Sequence, residues 1–427
     1  MKKAIVTLYE EINVFSLVIS DKSEDNALFD YLIKQIKLAL CGEVIDDGKV
    51  LYLPVQKNHI YNIETLKQHI AKSSPNLNLP KFNAIIAWLE KIGEGKFFGV
   101  CFNREPPIEE VFAIHATIGE LNGGEKMEVA MSEINNIAGD VFSNYDVKAS
   151  DPNNRVLYGK EPFGSKVCRY CHLSESVVTF HKVAHTISEG LGNKFTITYN
   201  ECDRCNEYFG KTCEPDFIAY LDILRPFFHV KGKDGEVKKV EGKNFIVQND
   251  AIDENLLKIQ IKQKSNPFNE TEGSFKFELE HSKKIIPLNI YKALVKFAYG
   301  IIPNNYLEKF TFTADWLLGK KVIEKLPLVM LSQGKTYIKH PRVMIYIRKN
   351  ERADLPFAIG EFRVMNNIFV YIIPTEVNNS FRDKQEWEVL IKQIFRYYGA
   401  INWWYKDFSS VTPQQMNFHL NIEKRNR

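Results

Sequence analysis

Cys168-Arg169-Tyr170-Cys171, then Phe180-His181-Lys182-Val183-Ala184-His185, then Glu201-Cys202-Asp203-Arg204-Cys205-Asn206: this order decides how the middle of the chain must fold. A Cys-x-x-Cys turn sets two thiolates on one side of a tight bend, and two such turns complete a tetrahedral sulfur shell for Zn²⁺. Cys168, Cys171, Cys202 and Cys205 are therefore the expected ligands of a structural zinc. About thirty residues lie between Cys171 and Cys202, against roughly 15–20 in a simple zinc ribbon. The surplus is what an inserted β-turn-β carrying His185 needs. Asn206 directly follows the second pair and falls on the first turn of the helix expected there.

These motifs resemble an HNH endonuclease of the ββα-metal type, stapled by a Cys₄ zinc. The resemblance covers roughly residues 160–245. It implies a short hairpin presenting His185 as general base and a helix presenting Asn206 to a catalytic Mg²⁺ or Mn²⁺. It also gives Asn193, in Leu191-Gly192-Asn193, the task of fixing the loop that carries His185. An unperturbed imidazole titrates near 6.5, so a neutral His185 can take a proton from an attacking water. The residue before it is Ala184, where the family commonly has an acidic residue or a histidine, and Ser188 stands where a proline is expected. The remaining cation ligands are sought in His181, four residues earlier on the expected strand and so on the same face as His185, and in Glu214 near the start of the next helix. Helix capping by Asn206 and ordinary turn chemistry at Gly192-Asn193 are the plainer alternatives.

Working outward, the 427 residues are 44% hydrophobic and 26% charged, a globular balance long enough for two or three domains. A net charge of +3 is too small for a protein that coats nucleic acid, so any DNA contact must be local. Of seven cysteines, Cys41, Cys101 and Cys213 remain scattered once the pairs are assigned, which fits a reducing compartment better than a disulfide framework. No apolar run suits a membrane span or a signal peptide, and a soluble, cytoplasmic protein is expected.

The fold class expected is α+β and multidomain, with the zinc-stapled module at 160–245 between two mixed modules, 1–150 and 246–427. The turn-rich stretch from Asp151 to Gly164 is the expected linker. Strands are expected over 12–19, 49–53, 97–102, 258–262, 274–279 and 342–347, and helices over 107–121, 126–142 and 384–398. Phe29, Ile33, Ile36 and Leu40 mark a further helix, as do Ile290, Leu294, Phe297 and Ile301. A hairpin turn is expected at Asp234-Gly235 and another across Asn366-Asn367. The lysines at 231, 233, 238, 239 and 243 are candidates for phosphate contacts, or else belong to a solvated hairpin with Asp234, Glu236 and Glu241.

The sequence thus points to a DNA phosphodiesterase acting on double-stranded DNA, with no membrane partner. Bacterial proteins of this build suggest, by analogy, defence against phage or mobile DNA. The competing expectation is a zinc-stabilised nucleic-acid- or partner-binding protein without catalysis. Residues 1–150 or 246–427 would take a regulatory protein or small ligand, and homo-oligomerisation is a further expectation.

Overall fold

A computed structural model describes the chain except residues 1, 12–13, 22–25, 43–48, 74–81, 105, 153, 162–164, 233, 251–255, 263–267, 272–273, 377–380 and 424–427. Positions 12 and 13 of the first expected strand, positions 153 and 162–164 of the expected linker and Lys233 thus lie outside the described residues. The described part is mixed α and β, in two compact units, Met1–Phe142 and Ser143–Arg427.

The first unit is built on β1 (Lys2–Tyr9), β2 (Val14–Asp21), β3 (Leu51–Pro54) and β4 (Phe97–Phe102), antiparallel in the order β2-β1-β4-β3. Successive strand residues face opposite sides, and both sides are covered. Val6, Leu8, Phe98, Val100 and Phe102 pack with α1 (Asn26–Cys41), α2 (Lys57–Ser73) and α3 (Phe82–Ile92), through Ile36, Ile63 and Ile85 among others. Tyr9 and Cys101 meet Ile114 and Ile118 of α4 (Ile108–Leu121) on the other side. The last helix is α5 (Met127–Asn144).

The second unit begins with β5 (Tyr145–Ala149), β6 (Val156–Tyr158) and β7 (Thr196–Thr198), followed by α6 (Asp203–Lys211), α7 (Cys213–Leu221) and α8 (Leu224–Phe227). Next come β8 (Val240–Glu241), β9 (Phe245–Asn249), β10 (Leu257–Ile261), β11 (Phe268–Thr271) and β12 (Ser274–Ile285). Then follow α9 (Pro287–Ile301), α10 (Thr311–Leu317), β13 (Val329–Arg348), β14 (Ala358–Ile372), α11 (Lys384–Gln393), β15 (Trp404–Lys406) and β16 (Gln414–Glu423). β13 pairs with β14 along one edge and with β15 and β5 at the two ends of the other.

The centre of this unit is α9. Its residues from Ala293 to Ile301 are all buried, so it has no polar face and must be covered all round. α7, β7, α10, β13 and β14 do this, and Phe297 lies among Phe217 and Phe362. Both ends meet charges from the cysteine-bearing segment. At the start, where Pro287 supplies a first-turn φ without needing a donor, the Asp216 carboxylate accepts from Ile286 N and Asn289 Nδ2 at 3.2 and 2.7 Å. At the finish, the buried Arg169 guanidinium donates to the carbonyls of Tyr299 and Gly300, both at 2.7 Å. An anion at the N-terminus and a cation at the C-terminus each suit the helix dipole.

Several expectations change here. The units divide at 142/143 rather than near 150, because β5 is taken up as a strand beside β13. The turn-rich stretch before Cys168 is no free linker, since β6 pairs in parallel with β7. Residues 160–245 and 246–427 do not part either: Cys168, Phe209, Phe217, Phe297 and Phe362 belong to one hydrophobic cluster. Asn366-Asn367 makes no turn. Both lie within β14, where Asn367 faces Gln333 of β13 and accepts from its side chain at 3.2 Å; burial of Phe362, Val364 and Phe369 on either side outweighs local turn preference. The Asp234-Gly235 turn does form, closed by the bridge between Lys231 and Val237. Lys238 pairs there with Asp234, Lys239 with Glu241, and Lys243 with Glu280, as a solvated hairpin would have it.

Among the described residues, no helix is long and apolar enough to cross a membrane. Gly300 shows how closely α9 sits on the hairpin region: an added Cβ would lie 2.4 Å from Thr186 Cγ2 and 2.9 Å from Thr198 Oγ1. Gly300→Ala should therefore destabilise the second unit by about 1–3 kcal/mol. Gly119→Ala in α4, where a Cβ meets nothing within 4 Å, should slightly stabilise the first. Calorimetric melting of the two variants checks both signs.

Candidate metal centre and active site

The four paired cysteines come together as expected. Their sulfur atoms all lie within 4.8 Å of one another. Cys168, Cys202 and Cys205 are buried, Cys171 is half-buried, and all are free thiols. Cys171 Sγ and Cys202 Sγ are 3.7 Å apart, close to the edge of about 3.8 Å that follows from Zn–S bonds of about 2.3 Å in a tetrahedron. Hydrogen bonding, first from Cys205, holds the Cys168 thiol down to about 4, while burial pushes Cys202 up to about 12. One thiolate among packed sulfurs raises the penalty on the next, and a divalent cation removes it. This is a site able to hold a metal such as zinc. Among the described residues, no other set of three His, Cys, Asp or Glu side chains converges in this way.

The segment between the pairs forms a small ladder. Thr186 N donates to Thr196 O at 3.0 Å and Thr198 N to Ala184 O at 2.9 Å, around the bridge between His185 and Ile197. Asn193 closes the intervening loop. Buried to 2% exposure, it donates to the carbonyls of Ile187 and Thr196 at 2.8 and 3.1 Å and accepts from Phe195 N and Thr196 N at 3.3 and 3.1 Å. All four hydrogen-bonding positions of the carboxamide are spent on backbone.

His185 is half-buried. Its Nε2 lies 3.5 Å from Glu189 Oε1, and its Nδ1 is buried without a hydrogen-bond partner. Burial lowers the pKa of its imidazole, the Glu189 carboxylate opposes this, and Lys296 and Arg155 reinforce it. Asn206 sits half-buried in the first turn of α6, its backbone N–H donating to Cys202 O at 3.0 Å. The cap of that helix is Cys202, so Asn206 is not a helix cap.

The two further candidates for a catalytic cation do not converge with His185. His181 is exposed. Residues 181–184 bend rather than continue a strand, because Asp203 draws them in, accepting from His181 N and Lys182 N at 3.1 and 2.8 Å. The same-face argument therefore does not apply. Glu214 Oε1 is 2.8 Å from Lys296 Nζ. His181, His185 and Glu214 do not share one point.

Sequence reasoning missed Glu189, Glu201 and Lys296. Lys296 is fully buried and donates to the carbonyls of His185 and Thr186 at 2.9 and 3.2 Å, with Glu201 3.8 Å away. Burial works against its charge, but Glu201 and Glu214 outweigh this and raise its pKa. Glu201 has both carboxylate oxygens buried without a hydrogen-bond partner, and burial pushes its carboxyl up to about 7. A lysine in the apolar run Ala293–Ile301 was the available signal, since a buried charge demands a partner. Glu189 was legible as a carboxylate four residues beyond His185.

No family model, curated protein or solved structure matches the chain.

Cys202→Ser should reduce bound zinc below one equivalent and lower the melting temperature, as should prolonged chelation of the parent protein; elemental analysis with calorimetry measures both. Glu214→Gln breaks a buried pair and should cost on the order of 3 kcal/mol. The metal concentration needed for any cleavage should stay unchanged, since Glu214 is spent on Lys296. A shifted metal midpoint would return Glu214 to the cation.

Proposed function

We propose that the chain is a metal-dependent endonuclease that hydrolyses DNA phosphodiesters, with His185 as general base and the Cys₄ site holding a structural Zn²⁺. The observation that carries this reading is the order of parts. A single antiparallel bridge between His185 and Ile197 is followed by a helix bearing Asn206, and the sulfur cluster brings the start of that helix to the preceding knuckle. That is the β-β-α sequence of parts that the resemblance implies.

The chemistry assigned to the chain's own groups is limited. His185 is kept neutral by burial and takes a proton from water as the water oxygen bonds to phosphorus. The P–O3′ bond breaks, and the electron pair stays on the 3′ oxygen. Asn193 holds the loop so that the imidazole does not swing. A bound Mg²⁺ or Mn²⁺ would stabilise the charge on the phosphate and the leaving oxygen. Asn206, half-buried in the first turn of α6, is the expected ligand for that cation. A hard cation of this kind commonly takes only one or two protein ligands and fills its shell with water and phosphate oxygens.

The second reading, a zinc-stabilised binding protein without catalysis, is favoured by one specific arrangement. Ala184 offers no ligand, and Glu214 is held by Lys296. The role in defence and the docking of regulators remain extensions of the first reading by analogy.

Plasmid nicking with Mg²⁺ or Mn²⁺ separates the two. The parent protein should cut and His185→Ala should lose on the order of 100-fold or more. Because burial lowers the imidazole pKa, the rate should stay level as pH falls through 6.5 and decline only below it. Equal cutting by the variant removes His185 from the mechanism. Retention of DNA in a gel shift without cutting under any divalent ion selects the binding protein.

A further inference from the structure

We propose that Lys296 is a positioning residue for His185, delivered by α9 from outside the cysteine-bearing segment, so that the active site is bipartite and not confined to its zinc module. The inference rests on reading His185 as the reacting imidazole. Its geometry is independent of that reading.

The Lys296 ammonium has three protons and finds three close acceptors: His185 O at 2.9 Å, Thr186 O at 3.2 Å and Glu214 Oε1 at 2.8 Å. Two of the three are backbone carbonyls of the bridged segment that carries the imidazole. A hydrogen bond to the carbonyl of a residue fixes its peptide plane, and with it the direction in which Cα presents the side chain. Lys296 is wholly buried, so water cannot replace it as donor. On the helix, Tyr170 Oη donates to Lys296 O at 3.3 Å, and one turn further the Tyr299 hydroxyl donates to Arg169 O at 2.9 Å. The first knuckle is thereby fastened to the same stretch of α9 that fastens the His185 segment.

Charge supports the same role. The groups facing His185 are Glu189 from its own loop, Glu214 from α7, Lys296 from α9 and Arg155 from the segment before β6. Lys296 and Arg155 favour the neutral imidazole and the two carboxylates oppose them. A base that must be neutral before it can accept a proton gains from a fixed cation close by. Glu214 and Glu201 in turn keep Lys296 charged.

The test uses the full chain with two variants, Lys296→Met and the charge-balanced Lys296→Met/Glu214→Gln. It follows imidazole titration by histidine-selective NMR together with plasmid cleavage. Zinc content and melting report the fold. In Lys296→Met the His185 titration should move to higher pH, since a facing cation is gone and both carboxylates remain. In the balanced variant, kcat should fall on the order of 100-fold while KM stays within about twofold, because Lys296 touches no substrate. Wild-type cleavage by either folded variant, or an unmoved His185 titration in Lys296→Met, overturns the proposal. So does a parent spectrum in which the Lys296 ammonium protons exchange freely with water, which decides the matter even where both variants fail to fold. If the parent never cuts DNA while the titration still shifts, the nuclease reading fails and the positioning role stands. If the parent cuts, the variants cut equally and the titration does not move, the reverse holds.

Discussion

A helix with no polar side has to be enclosed, and the enclosure of α9 dictates the rest of the second unit. Ala293 through Ile301 are buried in succession, so sheet strands, neighbouring helices and the cysteine-bearing segment must all supply apolar surface to it. The few polar atoms along its length then need partners in the same places. Tyr371 Oη donates to Leu294 O at 2.6 Å and Tyr291 Oη to Ile372 O at 2.8 Å, stitching the helix to β14. Arg169, Asp216 and Lys296 do the equivalent work on the opposite side. A small knuckle region that would fold marginally alone thus leans on a large core as well as on its sulfur cluster.

What could be read from the sequence was what local chemistry decides. The Cys-x-x-Cys pairs declared a shared site because their spacing admits few other structures. Periodicity found α1 and α9, whose apolar residues recur at helical intervals, and the Asp-Gly pair at 234–235 marked its turn. Asn193 was assigned to fastening its loop, and its carboxamide has all its partners there.

What escaped was long-range. The turn at Asn366-Asn367 failed because the pairing of β14 with β13 over 34 residues of separation is invisible in a local window. The same-face placing of His181 presumed a straight strand, whereas the Asp203 carboxylate, 22 residues away, accepts from the backbone of that segment. The ion pair of Glu214 was not foreseen because its partner comes from α9. The division into units at 142/143 was not legible for a related reason: composition marks where turns are, not which core a strand such as β5 joins. Each of these features belongs to a contact whose two halves are far apart in the chain, and no spacing rule within one half announces the other.

That separation bears on the order of synthesis. The His185 carbonyl and the Lys296 ammonium are 111 positions apart, and Arg169 reaches the carbonyl of Ile302 across 133. A chain still emerging from the ribosome holds its cysteines and its histidine long before α9 appears. Nascent or prematurely terminated products therefore carry the cysteines and His185 without the buried ammonium that the carbonyls of His185 and Thr186 meet in the finished unit.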